Sequence, residues 1–157
     1  GRISIGRVIE KNGKRLPKKD DQFTITTQVQ KNGDWLLHPL DAQLREQCEN
    51  GKLRSLPVRL LFNDPDLNLR AEYCLLDRQT GRPSCVCNGE QCRDSTTEGV
   101  KSLPCPTPES CDLSHEGGCK PYGRLHVALG DDESLGSVVF RTTGFNSIRT
   151  LAARLRY

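Results

Sequence analysis

The sequence predicts an α+β fold: a small antiparallel sheet of hairpins, one or two packed helices, and a cysteine-rich insertion. Three observations lead there. Short β-branched runs with alternating apolar residues recur, separated by turn-forming clusters. Only two stretches carry a helical apolar stripe, and both are short. Hydrophobic residues make up 34% and aromatics 5% of the 157 residues, a lean core for about one domain's length, so something besides packing must order the long polar connections. Residues 1–157 are expected to form a single domain, with 78–122 as an insertion between two hairpins.

Taken in order, GRISIGRVIEKNGKRLPKKDD sets Ile3, Ile5 and Val8–Ile9 around Gly6 in strand-like alternation, then becomes a basic loop closed by Pro17. QFTITTQVQ is β-branched and alternating, which predicts a strand from Phe23 to Val29. After the turn KNGDW, Pro39 stands at a first helical position, with Leu40, Leu44 and Cys48 at i, i+4 and i+8. That pattern is a short amphipathic helix ended by ENGK. SLPVRLLFN and LRAEYCLLD flank the turn former DPDLN and read as a hairpin. From Arg78 to Tyr122 regular structure is expected to vanish, which a compact domain tolerates only if something else orders the run. GRLHVALG and SVVFRTTG, around DDESLG, read as a second hairpin. FNSIRTLAARLRY closes the chain as a helix, with Asn146 or Ser147 as N-cap and Ile148, Leu151, Ala152 and Leu155 on one stripe.

Six of the eight cysteines, Cys85, Cys87, Cys92, Cys105, Cys111 and Cys119, fall in the irregular run. Cys48 and Cys74 sit in helix and strand patterns and read as small core residues. An even count permits disulfides. Against them, the cysteines are segregated in one loop rather than tying elements together, and no apolar leader core follows the basic start. Gly1 in place of Met leaves a removed leader open, and the helical pattern running to Tyr157 suggests further residues. Zinc fits better. One tetrahedral ion orders a loop that has no core of its own, and four thiolates close a structural site. Cys105, Cys111 and Cys119 supply three ligands from one segment, and Cys87, followed by the glycine-containing turn NGE, is the best fourth. Cys85 or Cys92 can take its place, and together with His115 they leave room for extra ligands and a second ion.

The net charge of +3 is unevenly spread. Lys14, Arg15, Lys18 and Lys19 crowd the N-terminal region, and Arg149, Arg154 and Arg156 crowd the C-terminal helix. These two ends are candidate phosphate- or partner-facing surfaces, with plain solvated faces as the competing reading. No apolar run approaches the roughly 20 residues of a membrane span.

The segments CNGEQCRD, LPCPTPESCDLSHEGGCKPYGRLHVAL and GSVVFRTTGFNSIRTL, with the start IGRVIEKNGKRLPKKDDQF, resemble the recombination directionality factor-like family of phages and integrative elements. The shared features are a Cys-x-Gly-acid turn, a Cys-Pro pair opening a cysteine cluster, and a Thr-Gly segment leading into the last helix. The resemblance spans nearly the whole chain and favours Cys87, Cys105, Cys111 and Cys119 as the metal set. Cys92 stands where the family usually has a small residue, which leaves an extra ligand open. The resemblance implies a non-enzymatic accessory protein that binds a large serine integrase on its attachment sites, in the bacterial host cytoplasm, and turns recombination from integration to excision.

Direct nucleic-acid binding through the basic ends is the alternative. Stacking platforms of the kind single-strand binders use are few, with Trp35, three tyrosines and four phenylalanines. A metal-dependent hydrolase is disfavoured, because a catalytic zinc needs an open position and a nearby base, whereas His115–Glu116 reads as a polar turn. His38 reads as helix entry and His126 as a solvent-facing strand residue. No phosphate-binding loop, nucleophile elbow or HExxH is present. No enzymatic activity and no small-molecule substrate are expected.

Overall fold

Two Asn-Gly pairs shape the N-terminal part of the chain. In the computed structural model, strand β1, Arg2–Lys11, passes through Asn12 and Gly13 into β2, Lys14–Lys31. Both turn residues have positive φ, 54° and 70°, as a type I′ turn requires, and Lys11 faces Lys14 across it. The expected basic loop is therefore strand, with Arg7–Lys11 paired against Lys14–Lys18. A bulge at Gly6 interrupts the ladder, where an added Cβ would stand 2.7 Å from the Lys18 carbonyl oxygen. A second Asn-Gly turn, at Asn32 and Gly33, leads to β3, Asp34–Leu37. The structure describes every residue except 78, 81, 97–98, 113–117 and 131–135, and the backbone alone at 7, 8, 10, 14–17, 19 and 96.

Helix α1, Pro39–Glu46, forms as expected, with Pro39 in its first turn and the His38 Nδ1 accepting from the Leu40 N–H at 3.2 Å. Its stripe of Leu40, Leu44 and Cys48 packs on a core of Ile3, Ile25, Leu53, Val127, Leu129 and Val138. Asp41 fastens the helix to β2. Its carboxylate is 2% exposed and accepts from the Ile25 N–H at 2.7 Å and from Arg45 Nε at 2.6 Å. Arg45 in turn donates to the Phe23 carbonyl and the Gln22 amide oxygen, both at 2.7 Å. A 3-10 turn, Glu49–Gly51, follows.

The first expected hairpin does not form. Strand β4, Val58–Leu60, pairs antiparallel with the end of β9, Lys120–Leu129, with Val58 opposite Leu129. The DPDLN stretch forms the short helix α2, Pro65–Asn68, because proline and aspartate suit a first helical turn as well as a tight turn. Strand β5, Leu69–Leu76, pairs instead with β6, Pro83–Cys87. Two further strands, β7 (Gln91–Thr96) and β8 (Gly99–Pro104), complete an antiparallel meander. The first part of the run expected to lack regular structure, residues 83–104, is thus mostly strand. Cysteines and polar residues dominate it and Val86, Val100 and Leu103 are scattered, so the usual apolar alternation is missing; all six residues of β8 are exposed.

Strand β10, Ser137–Thr142, neighbours β9, as the second expected hairpin requires, and pairs parallel with β1, with Arg2 opposite Val139. The hydrogen-bonded order is β3-β2-β1-β10-β9-β5-β6-β7-β8, with β4 joined to β9. This corrects the fold class. The chain is mostly sheet, with one ten-stranded mixed sheet and little helix, not an α+β fold with a small antiparallel sheet. The underestimate has two sources: a basic loop that is strand, and a cysteine-rich run that is three strands.

By contacts the chain divides into two compact units, 1–64 with 125–141 and 65–124 with 142–157. The first holds the aliphatic core described above. The second holds the β5–β8 meander and the last helix, α3, Phe145–Leu155. Gly144 caps α3 rather than Asn146 or Ser147, and its N–H donates to Thr142 Oγ1 at 3.2 Å. Ile148 is buried, with Leu151, Ala152 and Leu155 half-buried on the expected stripe. Gly123 in β9 lets Ile148 approach, since an added Cβ would meet its Cγ1 at 2.8 Å. Among the described residues no helix is long and apolar enough to cross a membrane.

Candidate metal centre

Strand alternation decides which thiols meet. Cys85 and Cys87 are two residues apart in β6 and so share one face of the sheet. A tight turn follows, in which the Asn88 side-chain oxygen accepts from the N–H groups of Glu90 at 2.9 Å and Gln91 at 2.7 Å. Gly89 takes φ 99°, a conformation that favours glycine. The turn returns the chain so that Cys92 in β7 lies directly opposite Cys87. The three sulfurs all lie within 4.8 Å of one another, and Cys85 and Cys87 Sγ are 3.5 Å apart. All three residues are buried. Tetrahedral zinc with bonds near 2.3 Å requires sulfurs about 3.8 Å apart, so the spacing is already of the right size.

The remaining cysteines come to the same place. Tyr73 and Leu75 lie across from Cys87 and Cys85, Leu103 lies across from Cys92, and Asp94 lies across from Cys85. With Cys105, Cys111, Cys119 and Asp112 they line a cavity of about 390 Å³. The Cys105 N–H donates to the Glu90 carbonyl at 2.7 Å, which ties the end of β8 to the Asn88 turn. The Cys105 side chain packs against the triad, close enough for its thiol to act on that of Cys87. Cys119 lines the same cavity, where Cys111, Cys105 and Cys87 act on its thiol electrostatically.

Burial governs the electrostatics. It pushes the Cys87 thiol strongly up, reinforced by hydrogen bonds with Cys85 and Cys105. Burial also pushes Cys85 up to about 11 and raises Cys119, to which the neighbouring Cys111 and Cys105 add. Desolvation and crowding of like groups hold these thiols neutral on their own. A bound dication reverses that balance, because it stabilises thiolates and releases their protons. An all-thiol donor set of this kind suits zinc and other soft metals.

The four expected ligands, Cys87, Cys105, Cys111 and Cys119, therefore line one cavity with Cys85 and Cys92. Among the described residues, Cys85, Cys87 and Cys92 are the one set of three or more ligand side chains mutually within 4.8 Å. The signal for this triad was present in the sequence: Cys-x-Cys places two thiols on one strand face, and Asn-Gly marks the turn that brings back the third. His115 lies outside the described residues. Cys48 and Cys74 keep the packing roles expected of them; Cys48 packs on the aliphatic core and Cys74 is buried in β5. On the same face of β5 as Cys74, Glu72 is paired with Arg124, with Arg70 at 3.6 Å and Arg93 at 3.8 Å.

The basic candidates are divided between the two units. Lys18 is exposed in the first unit, and the side chains of Lys14, Arg15 and Lys19 lie outside those described. Arg149 and Arg154 are exposed on α3 in the second unit, and Arg156 pairs with Asp66 at 3.2 Å.

Compared with known proteins, the chain matches the Gp3-like family model, described as recombination directionality factor-like, over residues 1–157. No curated protein and no solved structure matches it. The match covers the thiol-lined cavity and both units, so the chain belongs to the recombination directionality factor-like family.

Proposed function

We propose that this protein is a non-enzymatic accessory factor of phage or mobile-element recombination, which binds a large serine integrase and sets the direction of the reaction. Family membership over residues 1–157 carries this reading, and a recombination accessory role fits that family. In this reading the protein acts in the reducing cytoplasm of a bacterial host. A zinc ion bound through Cys87, Cys105, Cys111 and Cys119 orders the segment after β8 for contact with the integrase. The donors are all thiols, which suits a closed structural site and offers no position for a reacting water.

The experiment is a pull-down against serine integrases from elements that carry members of this family, coupled to recombination of their paired attachment sites. The expected result is stable association, suppressed integration and permitted excision. Failure to bind any such integrase, with direction unchanged, overturns the reading.

A second reading rests on the exposed Arg149 and Arg154 of α3: direct contact with DNA phosphates. It predicts steep weakening of DNA binding with added salt, and a shallower slope in R149A/R154A. A flat salt response rejects it.

A further inference from the structure

A single tetrahedral ion takes four sulfurs, yet six line this cavity. If one ion took Cys87, Cys105, Cys111 and Cys119, two buried thiols, Cys85 and Cys92, would remain within 4.8 Å of Cys87 with no role. If one ion took the triad and Cys105, then Cys111 and Cys119 would be left over. Two residues belong to both groups. Cys87 is a member of the triad and also lines the cavity beside Cys105 and Cys119, whose thiols act on its electrostatics. Cys105 packs on the triad and also interacts with Cys119.

The geometry points to a binuclear zinc–thiolate centre, in which Cys87 and Cys105 bridge two ions, one completed by Cys85 and Cys92 and the other by Cys111 and Cys119. The inference rests on the metal-binding reading above and extends it to a second ion.

The count closes. Six sulfurs, two of them shared, give each ion four donors and leave neither with an open position. Six thiols release six protons to solvent, and two dications meet six thiolates, so the cluster carries two net negative charges with no change of oxidation state. Sharing thiolates also explains why so many sulfurs crowd one cavity: each bridge places one negative charge against two ions and so relieves the repulsion that burial would otherwise amplify.

Native mass spectrometry of the full chain, purified under reducing conditions, with analysis for zinc, iron and acid-labile sulfide, tests the inference. Two zinc ions per chain are expected, falling to one or none in C85S/C92S. A chain without any metal overturns both this inference and the zinc site of the proposed function. One zinc, retained in C85S/C92S and lost in C111S/C119S, overturns the second ion alone. Iron with sulfide overturns the zinc cluster. Because a cysteine variant can misfold, the wild-type chain is also titrated with cobalt. Bridging thiolates couple the two cobalt spins, so the paramagnetic resonance signal of the fully loaded protein is weak. A signal that grows in proportion to cobalt up to saturation overturns the bridging arrangement.

Discussion

Buried thiols next to one another resist ionisation, and the rise of Cys85 to about 11 and the stronger rise of Cys87 express that resistance. In the zinc site proposed above, protons and metal compete for the same sulfurs, and zinc retention should fall steadily as pH drops below neutral. Metal release followed with a chromogenic chelator checks this; release independent of pH would contradict thiolate ligation. Two carboxylates of the first unit give separate predictions. Hydrogen bonds from Arg54 and then Lys52 hold Asp21 down at about 2 from the usual 3.8. Its folded pKa lies below the unfolded one, so its contribution to stability is present above about 3.8 and is lost as pH falls towards 2. Denaturant unfolding from pH 5 downward should show a shallower acid loss in D21N than in the wild type. Asp41 is different because it is buried and serves both a strand N–H and Arg45. D41A strands the Ile25 N–H and the arginine head, and should cost about 2–3 kcal/mol in denaturant unfolding.

At the scale of the element, α3 and the Asn88 turn show how one glycine sets a packing distance or a turn. Gly123 is the flat spot on which Ile148 rests, and G123A forces the two apart. Overpacking of this kind costs about 1–3 kcal/mol, and thermal unfolding should report it. Gly89 has open space around it but φ 99°, so G89A leaves packing unchanged and strains the turn between Cys87 and Cys92. That variant should weaken zinc binding more than it lowers the stability of the aliphatic core. The elements legible in advance were those with local signatures. Pro39 with Leu40, Leu44 and Cys48 marked α1, and the Ile148 stripe marked α3, although the cap is Gly144 and not Asn146. The illegible elements lack an apolar alternation. PSCVC and QCRDST are strands whose cavity-facing side chains include the thiols, and GVKSLP is an exposed strand that adds Leu103, so hydropathy gives no period to read.

For the whole molecule, the two units are held by different forces. The first has an aliphatic core. In the second, the face of β6 and β7 turned to the cavity is mostly sulfur. With zinc bound as proposed, chelation should remove hydrogen-exchange protection from β6, β7 and β8 while Ile3, Ile25 and Val127 remain protected. Uniform loss across both units would show that the metal supports more than its own cavity. The long-range pairings that define the sheet were out of reach of local reasoning. Nothing near Val58 announces Leu129 as its partner, and nothing near Arg2 announces a parallel neighbour in Val139. The tight turns, the helix stripes, the family and the thiol-rich, metal-ready composition followed from the sequence by itself, because they depend on φ preferences, caps and side-chain chemistry within a few residues. Only the tertiary structure decided the mixed ten-stranded sheet and the meeting of six sulfurs in one cavity. Both depend on which distant strands pair and in what register, and a shift of one residue in that register would turn Cys85, Cys87 and Cys92 to opposite faces.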